Sequence, residues 1–230
     1  MIGIIGAMDE EVADLKEVML VEETVDLASM TFYKGLIVEK EVVIVRSGIG
    51  KVNAAVCAQL LIDKFGVDTI INTGVAGSLN AGLDIGDMVI STDALHHDMD
   101  ASPVGDPVGQ VPRMDTLAFP ADERLIRLAK EVNETVNPDI QTYVGRVASG
   151  DQFIASKEEK DRIISNFGAY CAEMEGAAIA QVAYLNDISY VIIRAISDKA
   201  DNSAQVDYPV FAKKAIDHSV RLLIGLLAVV

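Results

Sequence analysis

Tryptophan is absent from the 230-residue sequence, cysteine occurs only twice, and aromatic residues amount to 5%. Two cysteines cannot form the disulfide framework of a small secreted domain. Both Cys57 and Cys171 lie among apolar neighbours, so we expect buried thiols. The C-terminal apolar run, residues 222–230, is far shorter than the about 20 residues that span a bilayer. The N-terminus also lacks the basic stretch of a signal peptide. These absences predict a cytoplasmic protein without a membrane anchor.

Positive charge is scarce as well. The sequence has 19 lysine and arginine residues against 35 acidic residues, which gives a net charge of -16. Such a charge repels phosphate backbones and anionic lipid surfaces, so nucleic acids and membranes are poor candidate partners. What is present is a globular composition, 50% apolar and 23% charged. A chain of this length and composition predicts one domain over residues 1–230.

Apolar β-branched runs alternate along the chain with segments of helical periodicity. The apolar runs predict strands at residues 2–5, 31–38, 41–47, 69–73, 88–92, 142–148 and 190–195. The periodic segments predict helices at residues 8–20, 51–65, 125–136, 175–185 and 210–227. A loop rich in Asp, Pro and Gly at 95–120 has the length of a functional or interfacial segment. The pattern predicts a single α/β domain with a mixed, twisted central sheet flanked by helices.

Three acids, Asp9, Glu10 and Glu11, follow the first predicted strand and its glycines Gly3 and Gly6. The carboxyl end of a strand that leads into a helix is where α/β proteins bind ligands. A dinucleotide site is one competing interpretation, but the glycine spacing differs from G-x-G-x-x-G and no P-loop motif occurs. A solvated acidic helix start is the other. The segment therefore provides candidate carboxylates and leaves their role open.

A second candidate segment follows the predicted strand at 69–73 and contains Val75, Ala76 and Gly77. Glycines at this point would let a ligand approach the backbone closely. A plain tight turn explains them equally well.

A third segment, Glu173-Met174-Glu175, lies where a strand meets a helix. Alternate residues of a strand face the same side, so both glutamates could line one cleft. The alternative for Glu175 is a helix N-terminal acid. The preceding apolar residues indicate burial, which makes a purely exposed role less favourable.

The fourth segment ends the apolar strand at 190–195 with Arg194, Ser197 and Asp198. Charged groups at the end of a buried strand require a partner, and a structural Arg–Asp pair is the alternative to a functional role. His96 and His97 could suggest a metal, but adjacent histidines are hard to direct at one ion and no partner motif is present. We therefore expect no metal site.

These segments, taken in order, resemble those of the 5′-methylthioadenosine/S-adenosylhomocysteine nucleosidases, members of the nucleoside phosphorylase/hydrolase superfamily. The most specific pieces are IGIIGAMDEE at 2–11, SGIGKVN at 47–53, SGDQFI at 149–154, EME at 173–175 and RAISD at 194–198. Each piece is weak alone, but the five together follow the family's order over nearly the whole chain. The resemblance implies that water cleaves the N-glycosidic bond of an adenine nucleoside without a cofactor or a metal.

The resemblance also implies roles for the candidate side chains. Asp198 matches the acid that protonates adenine at N7, and Glu11 matches the base that takes a proton from the attacking water. This is the division of labour of an inverting glycosidase. Glu175 matches the residue that binds the ribose hydroxyls. Phe153 and Ile154 match residues that contact the adenine base, and Met174 matches one that packs against the sugar. Ile49 and Tyr208 match residues around the 5′ group. Arg194 and Ser197 match residues next to the two carboxylates.

Two other functions are alternatives. A phosphorylase of the same fold would use phosphate and would need basic residues around it. The first loop offers Asp9, Glu10 and Glu11 instead, which favours water. A nucleoside-binding protein without catalysis has no need for an acid of raised pKa such as the one expected at Asp198. Hydrolysis of a small adenine nucleoside is therefore the favoured interpretation.

The sequence departs from the family pattern in two places. Val75 stands where the family often has serine, so a hydroxyl that could hold the water is absent. Val104, Asp106 and Val108 stand where the family has aromatic residues that a neighbouring subunit inserts over the 5′ group. The resemblance implies a homodimer, and these replacements predict a roomier, more polar 5′ pocket. The preferred nucleoside stays open among methylthioadenosine, S-adenosylhomocysteine, 5′-deoxyadenosine and aminodeoxyfutalosine.

Overall fold

The chain folds around a mixed β-sheet with helices on both of its faces. The computed structural model describes residues 1–230, except for the side chains of residues 206 and 209. The strands are β1 (Ile2–Gly6), β2 (Leu20–Leu27), β3 (Met30–Ile37), β4 (Lys40–Arg46), β5 (Thr69–Ser78), β6 (Met88–His96), β7 (Phe119–Pro120), β8 (Thr142–Ser149), β9 (Cys171–Glu173) and β10 (Ser189–Asp198). The helices are α1 (Asp9–Val18), α2 (Lys51–Phe65), α3 (Glu123–Val136), α4 (Lys157–Phe167), α5 (Gly176–Leu185) and α6 (Ala204–Leu227), with a short 3₁₀ turn at Ser102–Val104.

The strand order determines where a ligand site forms. β1 pairs in parallel with β4 and β5, and β5 pairs in parallel with β10. The carboxyl ends of these four strands therefore lie along one edge of the sheet. Beyond β5 the pairings close into the circuit β5–β10–β6–β8–β9–β5, with antiparallel pairs at β10–β6 and β5–β9. On the other side, β4, β3 and β2 extend the sheet in antiparallel fashion.

Two apolar layers attach the helices to the sheet. Successive residues of a strand point to opposite faces, so Ile4 and Ile5 of β1 enter different layers, and both are fully buried. The layer of Ile5 includes residues of α2 and α5, and the layer of Ile4 includes residues of α1, α3 and α6. The sheet is thus held from both faces, and the loops at its carboxyl edge stand on a rigid frame.

The predicted fold class is confirmed, and most predicted elements are present. α2 begins and ends at the predicted residues, and β5 and β10 continue several residues past their apolar runs. The predicted helix over residues 8–20 is too long, because α1 ends at Val18 and β2 begins at Leu20. β2, α4, β7 and β9 were not predicted. β2 lies at the sheet edge with its first five residues exposed, so it lacks the apolar alternation that identifies a half-buried strand.

No helix in the part of the chain that the structure describes is long and apolar enough to cross a membrane. The run at 222–230 contributes to the end of α6, where Leu222, Leu223, Leu226 and Leu227 are fully buried. The last three residues of the run follow the helix, and Val229 among them is exposed.

Candidate active site

A pocket of about 360 Å³ opens at the carboxyl edge of the central strands. This volume lies in the usual range of small-molecule sites, about 300–1,000 Å³. Its walls come from the ends of β5, β9 and β10, from the loops after β1, β4 and β8, and from α1 and α6. The lining residues are Ala7, Met8, Glu11, Ile49, Val75, Ala76, Gly77, Phe153, Ala172, Glu173, Met174, Glu175, Ser197, Asp198 and Tyr208.

Glu11 is held in the wall by the backbone on either side of it. One carboxylate oxygen accepts hydrogen bonds from the Ala7 and Met8 amides at 2.6 and 3.0 Å, and the other accepts from the Val75 amide at 3.2 Å. Burial raises the pKa of Glu11 above its ordinary value, while Arg194 and these amides oppose the rise. The result is a fixed carboxylate of raised basicity that faces a pocket.

Two glycines of β5 make room for the carboxylates. A Cβ atom on Gly74 would lie 2.6 Å from Glu11 Oε1, and one on Gly77 would lie 2.9 Å from Asp198 Oδ1. Neither position can hold a larger residue without displacing an acid. The glycines of this segment therefore have a structural cause beyond the ligand approach predicted from the sequence, although Gly77 does line the pocket together with Val75 and Ala76.

Asp198 ends β10 and is 2% exposed. Its Oδ1 accepts from the Ala200 amide at 2.8 Å, and its Oδ2 accepts from the Ser197 hydroxyl at 2.9 Å. Burial raises the pKa of Asp198 most strongly, the two hydrogen bonds lower it, and the negative charges of Asp207 and Asp201 raise it again. The raised pKa favours a protonated carboxyl, which can act as an acid.

Glu175 stands at the N-terminal end of α5 and accepts a hydrogen bond from the Gly50 amide at 2.8 Å. This contact links the loop after β4 to the start of α5. Burial raises the pKa of Glu175 to about 7, with a further contribution from the charge of Glu173. The carboxyl therefore titrates close to neutral pH and is a strong hydrogen-bond acceptor once ionised.

Glu173 and Arg194 form a buried pair at the base of the pocket, with both side chains about 2% exposed. Glu173 also accepts from the Ser149 hydroxyl and from the Gly176 amide, and the Arg194 guanidinium also donates to Asn72. Burial opposes the ionised form, but Arg194 holds the pKa of Glu173 below its ordinary value. The arginine thus pairs with a glutamate, and the Arg–Asp pair considered from the sequence does not form.

This pairing bears on the expected roles of Glu173 and Arg194. Glu173 and Glu175 both line the pocket, as predicted, but the Glu173 carboxylate is already occupied by Arg194 and Ser149. Arg194 was expected beside the two carboxylates, and it is absent from the described lining of the pocket. It lies behind the wall, where its charge acts on Glu11, Glu173 and Glu175 together.

Aromatic and apolar side chains form the mouth of the pocket. The Phe153 and Tyr208 rings meet edge to face with centroids 5.9 Å apart, and the Tyr208 hydroxyl lies 3.2 Å from Met8 Sδ. Ile49 and Met174 complete the apolar lining that the sequence suggested. Ile154 is buried in a neighbouring apolar cluster, and its side chain is outside the described lining.

Three lining residues were missed. Ala7, Met8 and Ala172 belong to the segments that the sequence singled out, but they lack a chemically distinctive side chain. Their proximity to Glu11 and Glu173 was the available signal, since residues beside a functional side chain at a strand end share its wall.

The long loop holds three positions that depart from the family. Val104 is 81% exposed, and Val108 packs near α4 in an apolar cluster. Asp106 is partly exposed. Among the described residues, none of these three lines the pocket of its own chain.

His96 and His97 belong to no cluster of metal ligands among the residues that the structure describes. Within the described residues, no group of three or more His, Cys, Asp or Glu side chains is placed to hold an ion. His96 contacts Gln181 at 2.9 Å, and His97 is fully buried. The acid that follows them, Asp98, binds Lys51 at 2.6 Å and accepts from the Asp151 amide at 2.9 Å. This segment connects α2 to the loop after β8.

Comparison with known proteins places this site among related enzymes. Residues 1–228 match the model of the phosphorylase superfamily. The chain is 43% identical over 228 residues, 99% of each chain, to a Staphylococcus carnosus protein named 5′-methylthioadenosine/S-adenosylhomocysteine nucleosidase. It is similar to the solved nucleosidase of Neisseria meningitidis in complex with methylthio-immucillin-A, with a TM-score of 0.96, 38% identity and coverage of 100% and 99%. It is also similar to futalosine hydrolase of Helicobacter pylori, with a TM-score of 0.92, 36% identity and coverage of 98% and 96%.

Proposed function

This chain belongs to the 5′-methylthioadenosine/S-adenosylhomocysteine nucleosidase family within the phosphorylase superfamily, and from that premise we propose that it hydrolyses the N-glycosidic bond of both nucleosides. The products are adenine and the 5′-substituted ribose. The observation that carries the proposal is the pair Glu11 and Asp198, two buried carboxyl groups of raised pKa that line one pocket. An acid on the leaving group and a base on water are the two groups that this hydrolysis needs.

Asp198 acts first in the proposed reaction. Its proton passes to N7 of adenine, which then accepts the electron pair of the breaking C1′–N9 bond and departs as a neutral base. Asp198 is left as a carboxylate that the Ser197 hydroxyl and the Ala200 amide stabilise by hydrogen bonds. The sugar that remains has the character of an oxocarbenium cation. It develops beside Glu11 and Glu175, whose negative charges stabilise it.

Glu11 acts on the water. A water that hydrogen-bonds to this carboxylate attacks C1′, and its proton passes to Glu11 as the new C–O bond forms. Proton exchange with solvent then restores Asp198 to its protonated form and Glu11 to its charged form. Glu175 accepts hydrogen bonds from the ribose hydroxyls in this scheme, because its carboxyl accepts only one described hydrogen bond, from the Gly50 amide, whereas Glu173 is occupied by Arg194. Phe153 and Met174 provide apolar surfaces for the base and the sugar.

The pocket suits water better than phosphate. Among its described lining residues there is no lysine or arginine, and three are glutamates. Arg194, a buried cation behind the wall, already pairs with Glu173. A phosphate dianion would therefore meet negative charge without a free partner, whereas phosphate sites in proteins place basic side chains on the anion.

We expect adenine release from methylthioadenosine to proceed at the same rate with or without phosphate and after treatment with a chelator. The sugar should appear as free methylthioribose, identified by mass spectrometry of the quenched reaction. Accumulation of a sugar 1-phosphate in phosphate buffer would show that the protein is a phosphorylase and would contradict the proposed hydrolysis. Running the same assay with S-adenosylhomocysteine, 5′-deoxyadenosine and futalosine ranks the substrates.

We further propose that a second copy of the chain covers the mouth of the pocket. Ile49 and Phe153 line the pocket and are 54% and 48% exposed. Val52 and Val56, one turn apart at the start of α2, are 75% and 40% exposed, and we take the four side chains as one apolar surface beside the opening. Exposed apolar surface around a site is typical of a protein interface. The resemblance to the family supports a homodimer that uses this surface.

Light scattering is expected to give about twice the chain mass of 24.6 kDa. Val52→Asp should shift the protein toward monomer, because it places a charge in the apolar surface while an acid in the first turn of α2 favours the helix. Val18→Asp is the matched control, since Val18 is also exposed but lies at the far end of α1. A parent protein that stays monomeric at all concentrations would exclude this proposal.

A further inference from the structure

A second cavity, of about 470 Å³, lies between α1 and α6 next to the active site. Glu10 and Asp14 of α1 line one side, and Lys213 and Asp217 of α6 line the other. We call this cavity the α1–α6 groove. Its charged residues are exposed, whereas Ile216 in its wall is buried. The groove thus has an apolar base, acids on both helices and one cation, Lys213, on α6.

The groove adjoins the pocket at two shared lining residues. Met8 and Tyr208 line both cavities, and the Tyr208 hydroxyl lies 3.2 Å from Met8 Sδ. This contact is the boundary between the two cavities. Methionine has three rotatable bonds and adapts its shape readily, so a flexible chain can cross at this point.

Lys213 is available to a ligand. Within the described residues no carboxylate oxygen lies within 4.0 Å of its ammonium group, although Asp217 is one helical turn away. Glu10 and Asp14 likewise take part in no described salt bridge. The groove therefore presents separated charges of both signs, which matches a ligand that carries an ammonium group and a carboxylate.

The two nucleosides of the proposed function differ in this respect. On the 5′ sulfur, methylthioadenosine carries a methyl group, whereas S-adenosylhomocysteine carries a flexible chain that ends in an ammonium group and a carboxylate. The boundary at Met8 and Tyr208 lies at the apolar mouth where the 5′ group is expected. A chain that extends from the sulfur past this boundary enters the α1–α6 groove.

We propose that the α1–α6 groove is the subsite for the α-amino acid end of S-adenosylhomocysteine. Lys213 binds the carboxylate, and Glu10 and Asp14 bind the ammonium group. This inference rests on the proposed nucleosidase function and adds a residue set for substrate preference.

The test compares both nucleosides on charge variants of the full chain. Lys213→Ala should raise KM for S-adenosylhomocysteine about two- to fivefold, the size expected for an exposed ion pair. Lys213→Glu should raise it further, because repulsion replaces attraction. The same variants should leave the kinetics of methylthioadenosine unchanged. Lys214→Ala and Lys214→Glu are matched controls, since Lys214 is exposed on the same helix but does not line the groove.

Two analogues assign the charges separately. One has a 3-carboxypropylthio group at the 5′ position and lacks the ammonium group, and the other has a 3-aminopropylthio group and lacks the carboxylate. Lys213→Ala should raise KM for the first analogue only. The double variant Glu10→Gln/Asp14→Asn should raise KM for the second only. High salt should reduce each difference, because exposed pairs are screened.

The outcomes separate the two levels of inference. If the parent protein cleaves neither nucleoside, the proposed function fails. If it cleaves both, and the Lys213 variants change both substrates equally or neither, the groove is not the subsite and the inference is overturned. Equal effects of the Lys213 and Lys214 variants would also overturn it, because they would report only the net charge of α6.

Discussion

Replacing Asp198 by asparagine is expected to lower kcat for methylthioadenosine by about 10²–10⁴-fold, the usual contribution of a positioned acid. This corresponds to roughly 3–5 kcal/mol of lost transition-state stabilisation. Asparagine keeps the shape of the side chain but has no carboxyl proton to give to N7. Its oxygen can still accept from the Ala200 amide, and its amide group can donate to the Ser197 hydroxyl. Thermal unfolding should therefore show an intact fold.

A substrate with a better leaving group separates loss of the acid from damage to the pocket. p-Nitrophenolate departs without a proton from the enzyme, so the p-nitrophenyl riboside with a 5-methylthio group does not need Asp198. We expect Asp198→Asn to retain most of its activity on this substrate. A large loss of activity on both substrates would indicate a damaged pocket. If Asp198→Asn turns over methylthioadenosine almost as fast as the unmodified protein, Asp198 is not the acid.

The pH profile provides an independent view of the same acid. The active form is protonated, so kcat should fall as the pH rises through the pKa of Asp198. Burial raises that pKa, and the negative charge of Asp207 raises it further. Replacing Asp207 by asparagine removes a charge and lowers the pKa of Asp198, so the falling limb should move to lower pH. A shift to higher pH would contradict this account.

The sequence predicted the site better than it predicted the contacts within it. Glu11 and Asp198 are candidates because they follow buried strands and parallel strands bring their carboxyl ends together, but it is the resemblance to the family that singles them out and implies their roles. The sequence could not show why position 74 requires glycine. Glu11, which needs the space, is 63 positions away, and only the pairing of β1 with β5 brings the two residues together. Arg194 is a similar case, because only the tertiary structure shows that its partner is Glu173.

The missed secondary structure has similar physical reasons. β9 has three residues and exists because it pairs with both β5 and β8, which no local pattern reveals. α4 is different, since a signal was present. Ser156 caps the helix by accepting from the Glu159 amide, and the Ser-x-x-Glu spacing is that of a capping box. The groove beside the site depends on how α6 lies against α1, which periodicity cannot specify.

Replacing Glu11 by glutamine should lower kcat for methylthioadenosine by about 10²–10⁴-fold as well, because an amide cannot take the proton of the attacking water. The loss should extend to the p-nitrophenyl substrate, since that reaction also consumes water. This combination distinguishes the base from the acid, whose removal spares the second substrate. Glu10→Gln is the matched control, because Glu10 precedes Glu11 in α1 and is exposed.

The reason for expecting so large an effect is the way the carboxylate is held. Three backbone amides, from Ala7, Met8 and Val75, fix its two oxygens, and Gly74 leaves it the space. A glutamine can satisfy the Ala7 and Met8 amides with its oxygen but then turns its own amide group toward Val75. Burial raises the pKa of Glu11, so kcat in the parent should rise with pH as this carboxyl ionises, and Glu11→Gln should abolish that limb. A variant that keeps both the turnover and the rising limb would assign the base to another group, and Glu175, with a pKa of about 7, is the residue to replace next.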